Sequence, residues 1–373
     1  METIIPIENG EVLVGIQQFL RRLMEAGVVE ALYVPLRTED DTITPALITD
    51  PSRTEKADPL TPVMPINGAR AVSAMTGKHA PAKLGVVLRP CEIRALVELV
   101  KLQQATLENL VLISIDCPGT CEVTDYYNRR QESGFDLRDY LGSVSNGSMP
   151  EGWEQRPACQ MCIQPVYDGA GVTLQLFGAD LARGIPVSLS DEIASQLQPM
   201  EVEGYQPGGA RQQVVEHLLE VHQNRRQAEL SGIRARISSN GGMAGLFATC
   251  LRCHNCMTVC PICYCKVCLF RSEAMNHPPE YYLSAAQRKG AIRLLSDTLL
   301  FHMTRLSHME MSCVNCGMCT SACPADIPVG AIFTAIGEQV QAAFSYQPGR
   351  DVKEPLPLIT FQPNEWTEIG EVR

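Results

Sequence analysis

The chain has 373 residues, enough for two or three domains, and its 45% hydrophobic content allows a sizeable core. A formal net charge of −11 with no Lys/Arg-rich stripe argues against a nucleic-acid partner. No apolar run approaches the roughly 18–20 residues that span a bilayer. The opening Met1–Pro6 lacks the basic-then-apolar order of a signal peptide, so the expected location is cytoplasmic.

The first ~180 residues alternate helical and strand-like patterns. Ile16, Phe19, Leu20 and Leu23 recur at helical spacing over 12–25, and Gly27 sits where that helix would stop. A strand over roughly Glu30 to Leu36 follows. Leu84–Leu88 reads as a short apolar strand that runs into a helix with Ile93, Leu96, Val97 and Val100 on one face. Leu110–Ile115 is the next strand. Strand, helix, strand over about 30 residues is a βαβ unit and implies a parallel sheet. The polar stretch 128–158 reads as an irregular excursion, Val172–Leu176 as a strand, and 210–230 as helical. Ser238–Gly242 reads as a turn. Helices around cysteine loops are expected over 246–345. The proline-containing tail 346–373 is expected to lie extended over a neighbour.

The expected division is an α/β domain with a parallel sheet over 1–185, a helical linker region over 186–245, a mainly helical dicluster ferredoxin-like domain over 246–345, and the tail. Sixteen cysteines carry most of the information. In a reducing cytosol such clusters hold metal more often than disulfides. Cys250-x2-Cys253-x2-Cys256-x3-Cys260-Pro261 and Cys313-x2-Cys316-x2-Cys319-x3-Cys323-Pro324 both have the bacterial ferredoxin spacing. Three close thiolates grip one [4Fe–4S] cubane, and the fourth reaches the other cluster. The expected ligand sets are Cys250, Cys253, Cys256 and Cys323 for one cluster, and Cys313, Cys316, Cys319 and Cys260 for the other. Gly317 is expected to keep its loop uncrowded. Zinc would prefer two separated cysteine pairs and would make the chain a structural adaptor.

Cys263, Cys265 and Cys268 follow at once. They either hold a further metal, with His254 or Cys121 as fourth ligand, or are buried small hydrophobes. His254 itself either hydrogen-bonds toward a cluster or faces solvent. Cys91 and Cys117 each follow a strand of the βαβ unit, so both emerge at the carboxyl edge where open α/β sheets place ligands. With Cys159 and Cys162 they could complete a third cluster, with Cys121 competing for the place of Cys117. Cys91 could otherwise be an inert thiol. No catalytic constellation stands out.

Three stretches, Arg89-Pro90-Cys91-Glu92-Ile93-Arg94-Ala95, Asp116-Cys117-Pro118-Gly119-Thr120 and Cys159-Gln160-Met161-Cys162, resemble the beta subunits of coenzyme F420-reducing hydrogenase and formate dehydrogenase. The runs Cys250–Cys268 and Ser312–Pro328 look like the formate dehydrogenase branch. The resemblance spans about residues 12 to 358. It implies an α/β domain holding FAD and a [4Fe–4S] cluster on Cys91, Cys117, Cys159 and Cys162, then a dicluster domain. It also implies an oxygen-sensitive electron-transfer subunit without the formate or hydrogen site. Electrons would pass between a catalytic formate dehydrogenase or hydrogenase subunit and F420, NAD(P) or a heterodisulfide-reductase-like partner. The family's paired glycine at the start of the first helix is here Val12-Leu13-Val14-Gly15-Ile16, which motivates a flavin-free conduit as the alternative. FAD contacts are not assigned.

Overall fold

The computed structural model describes residues 1–77, 82–197, 210–239, 241–293 and 296–357. Seven strands form one mixed sheet: β1 (Glu2–Pro6), β2 (Ala31–Arg37), β3 (Ile43–Ile48), β4 (Leu84–Leu88), β5 (Leu110–Ile115), β6 (Val172–Leu174) and β7 (Gly184–Leu189), in the order β1-β7-β6-β5-β4-β2-β3. The central strands β2, β4, β5 and β6 are parallel; β1, β3 and β7 join antiparallel. All five residues of β4 are buried, as a strand covered on both faces requires.

Helices cover both faces. Helix α1 (Val12–Glu25) buries Ile16, Phe19, Leu20 and Leu23, and Gly27 beyond it is left-handed. Helix α2 (Gly68–Thr76) and helix α3 (Pro90–Lys101) cover the opposite face, where Val86 and Leu96 share a core. Glu92 joins their starts: its carboxylate accepts from the Gly68 amide at 2.7 Å and the Arg89 amide at 2.8 Å.

The stretch 128–158 is more ordered than its polarity implies. It overlaps helix α4 (Val123–Ser133) and contains helix α5 (Leu137–Ser145), followed by the four-residue helix α6 (Pro157–Gln160). Tyr126, Phe135 and Trp153 pack as an aromatic cluster that compensates for so few aliphatic residues.

After helix α7 (Asp191–Gln196) comes helix α8 (Ala210–Ile237), 28 residues long. The cysteine-rich part holds helices α9 (Gly242–Leu246), α10 (Asn255–Thr258), α11 (Pro279–Lys289), α12 (Thr298–Met309), α13 (Met318–Ser321) and α14 (Val329–Ala343). Its apolar side chains, among them Phe301 and Ile332, share a core with Val86 and Leu96 from the sheet side. The described part of the tail lies on α3, where the Tyr346 hydroxyl donates to Glu98 at 2.6 Å. Its continuation from 358 lies outside the described residues, as does Asn240 of the expected turn. Among the described residues, no helix is long and apolar enough to cross a membrane.

Candidate metal centres

The two ferredoxin-type runs fold onto the same backbone template. Arg252 and His254 are left-handed in the first run, and Asn315 and Gly317 in the second, at matching offsets from the leading cysteine. Each run then enters a one-turn helix, α10 or α13. Left-handed non-glycine residues cost about 1–3 kcal/mol each, so something must over-determine these loops. Amides of Arg252, Asn315 and Met318 donate to the sulfurs of Cys250, Cys313 and Cys316. Such donors suit thiolates. Gly317 has two reasons to be glycine: φ is +74°, and a Cβ would stand 2.3 Å from Ala158 Cβ on the Cys159–Cys162 loop.

Burial, then the neighbouring charges of Cys250, Cys253 and Cys323, pushes the Cys256 thiol up to about 11, although Arg305 opposes the rise. Cys250, Cys253, Cys256 and Cys323 line one cavity with Phe301 and His302. Cys260 leaves its own run and lies near Cys313, Cys316 and Cys319. Burial followed by Cys260 holds Cys316 at about 11. Burial and, less strongly, Cys260 and Cys316 hold Cys313 at about 12. Among the described residues, no three His, Cys, Asp or Glu side chains converge closely enough to hold a single metal ion. A cubane differs, because each thiolate meets its own iron.

Cys91 opens α3 directly after β4, and Cys117 follows β5, so both stand at the carboxyl edge of the parallel strands. Cys159 and Cys162 arrive on the α6 turn. Burial and then Arg94, Cys159 and Cys117 act on Cys162, whose thiol rises to about 11. Burial raises Cys159 too, but Arg156 and two bonds from Thr120, at 3.4 and 3.5 Å, bring it below its ordinary value. Cys91 also feels Cys316, so the sheet-edge set and the second run are neighbours. Cys121 sits in a separate small core with Ile43, Val63 and Tyr126, where burial pushes it up to about 12.

Cys263, Cys265 and Cys268 line a cleft of about 210 Å3 with Arg70 and Arg271. Neither His254 nor Cys121, the fourth-ligand candidates, lines it. His254 does not face solvent: it is half-buried and stacks on Phe301 with ring centroids 4.7 Å apart.

Residues that motif spacing does not reveal bear on whether these sets fit an anionic group. Arg89, Arg156 and Arg305 are buried, and among the described residues none has a carboxylate at ion-pair distance. Each bonds a carbonyl or hydroxyl oxygen, and Glu92 and Glu122 act on Arg89 and Arg156 only from beyond ion-pair distance; each also has a cysteine sulfur beside it: Cys117 at 3.7 Å from Arg89, Cys159 at 3.7 Å from Arg156, and Cys256 at 3.1 Å from Arg305. A buried cation without a counter-charge is costly. Metal-bound thiolates supply that charge, so the residues present fit iron–sulfur clusters.

The start of α1 does not fit a flavin pyrophosphate. Val12 and Ile16 are core residues, and a Cβ on Gly15 would stand 2.5 Å from Ile7 Cδ1, so the glycine serves helix–strand packing. A cleft of about 570 Å3 near Ala158 and Gly317 carries Glu122, Asp125, Glu154, Glu229 and Asp326 against one lining cation, Arg226, a balance that repels a phosphate.

No family model matches the chain. The F420-dependent formate dehydrogenase subunit beta of Methanocaldococcus jannaschii is 26% identical over 310 residues, covering 76% of this chain and 78% of that protein. The F420-dependent formate dehydrogenase 1 subunit beta of Methanococcus maripaludis is 28% identical over 311 residues, covering 74% and 76%. With the cysteine order described above, these likenesses support a place for the chain beside formate dehydrogenase beta subunits.

Proposed function

We propose that the chain is the electron-relaying subunit of a formate dehydrogenase or hydrogenase complex, with three [4Fe–4S] clusters held in series. Cys91, Cys117, Cys159 and Cys162 hold the cluster at the sheet edge. Cys313, Cys316, Cys319 and Cys260 hold the next, and Cys250, Cys253, Cys256 and Cys323 the last. The observation that carries this reading is the pairing of thiols from distant stretches beside buried guanidinium groups that, among the described residues, have no carboxylate at ion-pair distance. Such clusters, when bound, take up and give back single electrons.

The protein's own part is to hold and insulate. The loop amides and the arginines stabilise negative sulfur, and the shared core fixes the spacing between sites. Formate or hydrogen is oxidised on a separate catalytic subunit, and the far end delivers to a hydride carrier such as F420 or NAD(P), or to a heterodisulfide-reductase-like partner. Exposed Cys253 marks one end of the series.

The α1 packing and the acidic cleft favour the flavin-free form, a conduit that hands single electrons to another protein. Anaerobic purification with iron, sulfide and flavin analysis tests both points. Cubane EPR signals without FAD are expected. Stoichiometric FAD would restore the flavin-containing form, and absence of iron would defeat the relay itself.

A further inference from the structure

One face of α12 runs from the first thiol set to the second. His302 Nε2 lies 3.2 Å from Cys250 Sγ, and Met309 Sδ lies 4.0 Å from Cys260 Sγ. At ~1.5 Å rise per residue these contacts are about 10 Å apart along the axis. Arg305 stands between them, 3% exposed. Its Nη1 donates to Cys256 Sγ at 3.1 Å and its Nη2 to the Cys256 carbonyl at 3.0 Å. The rings of Phe301 and Phe333 flank it at 5.5 and 5.1 Å, and its Nε has no partner.

We propose that Arg305 is a cation shared by the two ferredoxin-type sites, raising the reduction potential of both. This rests on the cluster reading above. Each reduction adds one negative charge without a proton, and a fixed cation in a low-dielectric interior favours the more negative state. Cys256 of one set and Cys260 and Cys319 of the other all favour the charged form of this guanidinium, and the Met309 contact places the same helix face against the second set. Arg305 is a positioning and tuning residue, not a catalytic one.

A purely structural role would also follow from its two bonds to Cys256, and three variants separate the readings. Arg305→Lys keeps the charge and loses the fork; Arg305→Met and Arg305→Gln lose the charge. EPR-monitored redox titration of the whole protein reads each site. In the neutral variants both ferredoxin-type sites should become at least tenfold harder to reduce, about 59 mV for a one-electron couple. The sheet-edge site should stay put as an internal reference, and the Lys variant should lie within about threefold of wild type. Unmoved potentials, a shift at only one of the two sites, or an equal shift at all three would overturn the proposal. Iron lost from both neutral variants but kept with lysine supports it, whereas iron lost from all three overturns it. Wild-type protein without cubane signals fails the parent reading instead.

Discussion

Left-handed residues in matching places tie the two cysteine runs to one loop geometry, and Gly317 is the most constrained of them. Gly317→Ala combines a positive φ with a clash against Ala158. It should lower stability by about 1–3 kcal/mol and deplete the iron of the Cys313 set before the Cys250 set. Iron per chain and the thermal midpoint check it; an unchanged midpoint with full iron would contradict it. The buried thiols give a pH prediction. Burial first, and neighbouring thiols after it, place Cys316 at about 11 and Cys313 at about 12, against an ordinary value of 9.0. These groups keep their protons in the folded metal-free chain but lose them when unfolded. Their stabilisation is complete below pH 9 and disappears as pH climbs through 11 and 12. Metal-free protein should therefore melt progressively lower from pH 9 to 11, and iron-loaded protein, already thiolate, should lack this thiol-linked fall. A fall of equal size in both forms would contradict that assignment. The two ferredoxin-type runs stood out in the sequence by their spacing, and the edge cysteines by the βαβ order. Arg305, Arg156 and His302 were not, because their contacts depend on a helix or loop laid across the cysteines by the fold.

Among the elements, α8 acts as a clamp between the sheet-edge loop and the cysteine-rich part. His222 Nδ1 lies 2.8 Å from the Cys162 carbonyl, and Arg226 Nη1 donates to the Met161 carbonyl at 3.3 Å. Arg226 Nε and Arg234 Nη2 both reach Glu338 on α14, at 3.1 and 2.7 Å. Arg226→Ala should cost about 1–3 kcal/mol by leaving the Met161 carbonyl unpaired and Glu338 with Arg234 alone. Combined with Glu338→Ala it should fall short of additivity by at least about 0.5 kcal/mol in a denaturation cycle. Strict additivity would deny the clamp. Elements with clean periodicity, such as α1, β4, α3 and β5, were readable within a residue or two. Strands β1, β3 and β7 were not: each contains a proline, Pro6, Pro45 and Pro186, without the longer apolar run that made β2 readable despite Pro35. Proline argues against a central strand, and β1 and β3 do lie at the sheet edges. Helices α4 and α5 hid behind polar composition: α4 is anchored by Tyr126 and α5 by only Tyr140, Leu141 and Val144, too few for a window average to detect.

Across the whole molecule, the sheet edge and the two cysteine runs stand in sequence, with Cys91 beside Cys316 and Arg305 between Cys256 and Cys260. Motif spacing alone predicts the exchange of the fourth cysteine between runs, and βαβ logic predicts that Cys91 and Cys117 share an edge. How the edge set meets the second run is not encoded locally; it depends on the core that Val86 and Leu96 share with Phe301 and Ile332. Replacing Cys91 with Ser should remove the edge site alone, leaving the other two sites to give their own EPR signals and breaking electron flow through the chain. Loss of all three signals together would mean that the edge site is structural for the rest. The most direct measurement is iron and acid-labile sulfide per chain, with EPR, on anaerobically produced protein. The expected result is roughly twelve of each, four per cubane, with three reducible signals. Protein that is colourless, redox-silent and loaded with zinc would contradict the relay.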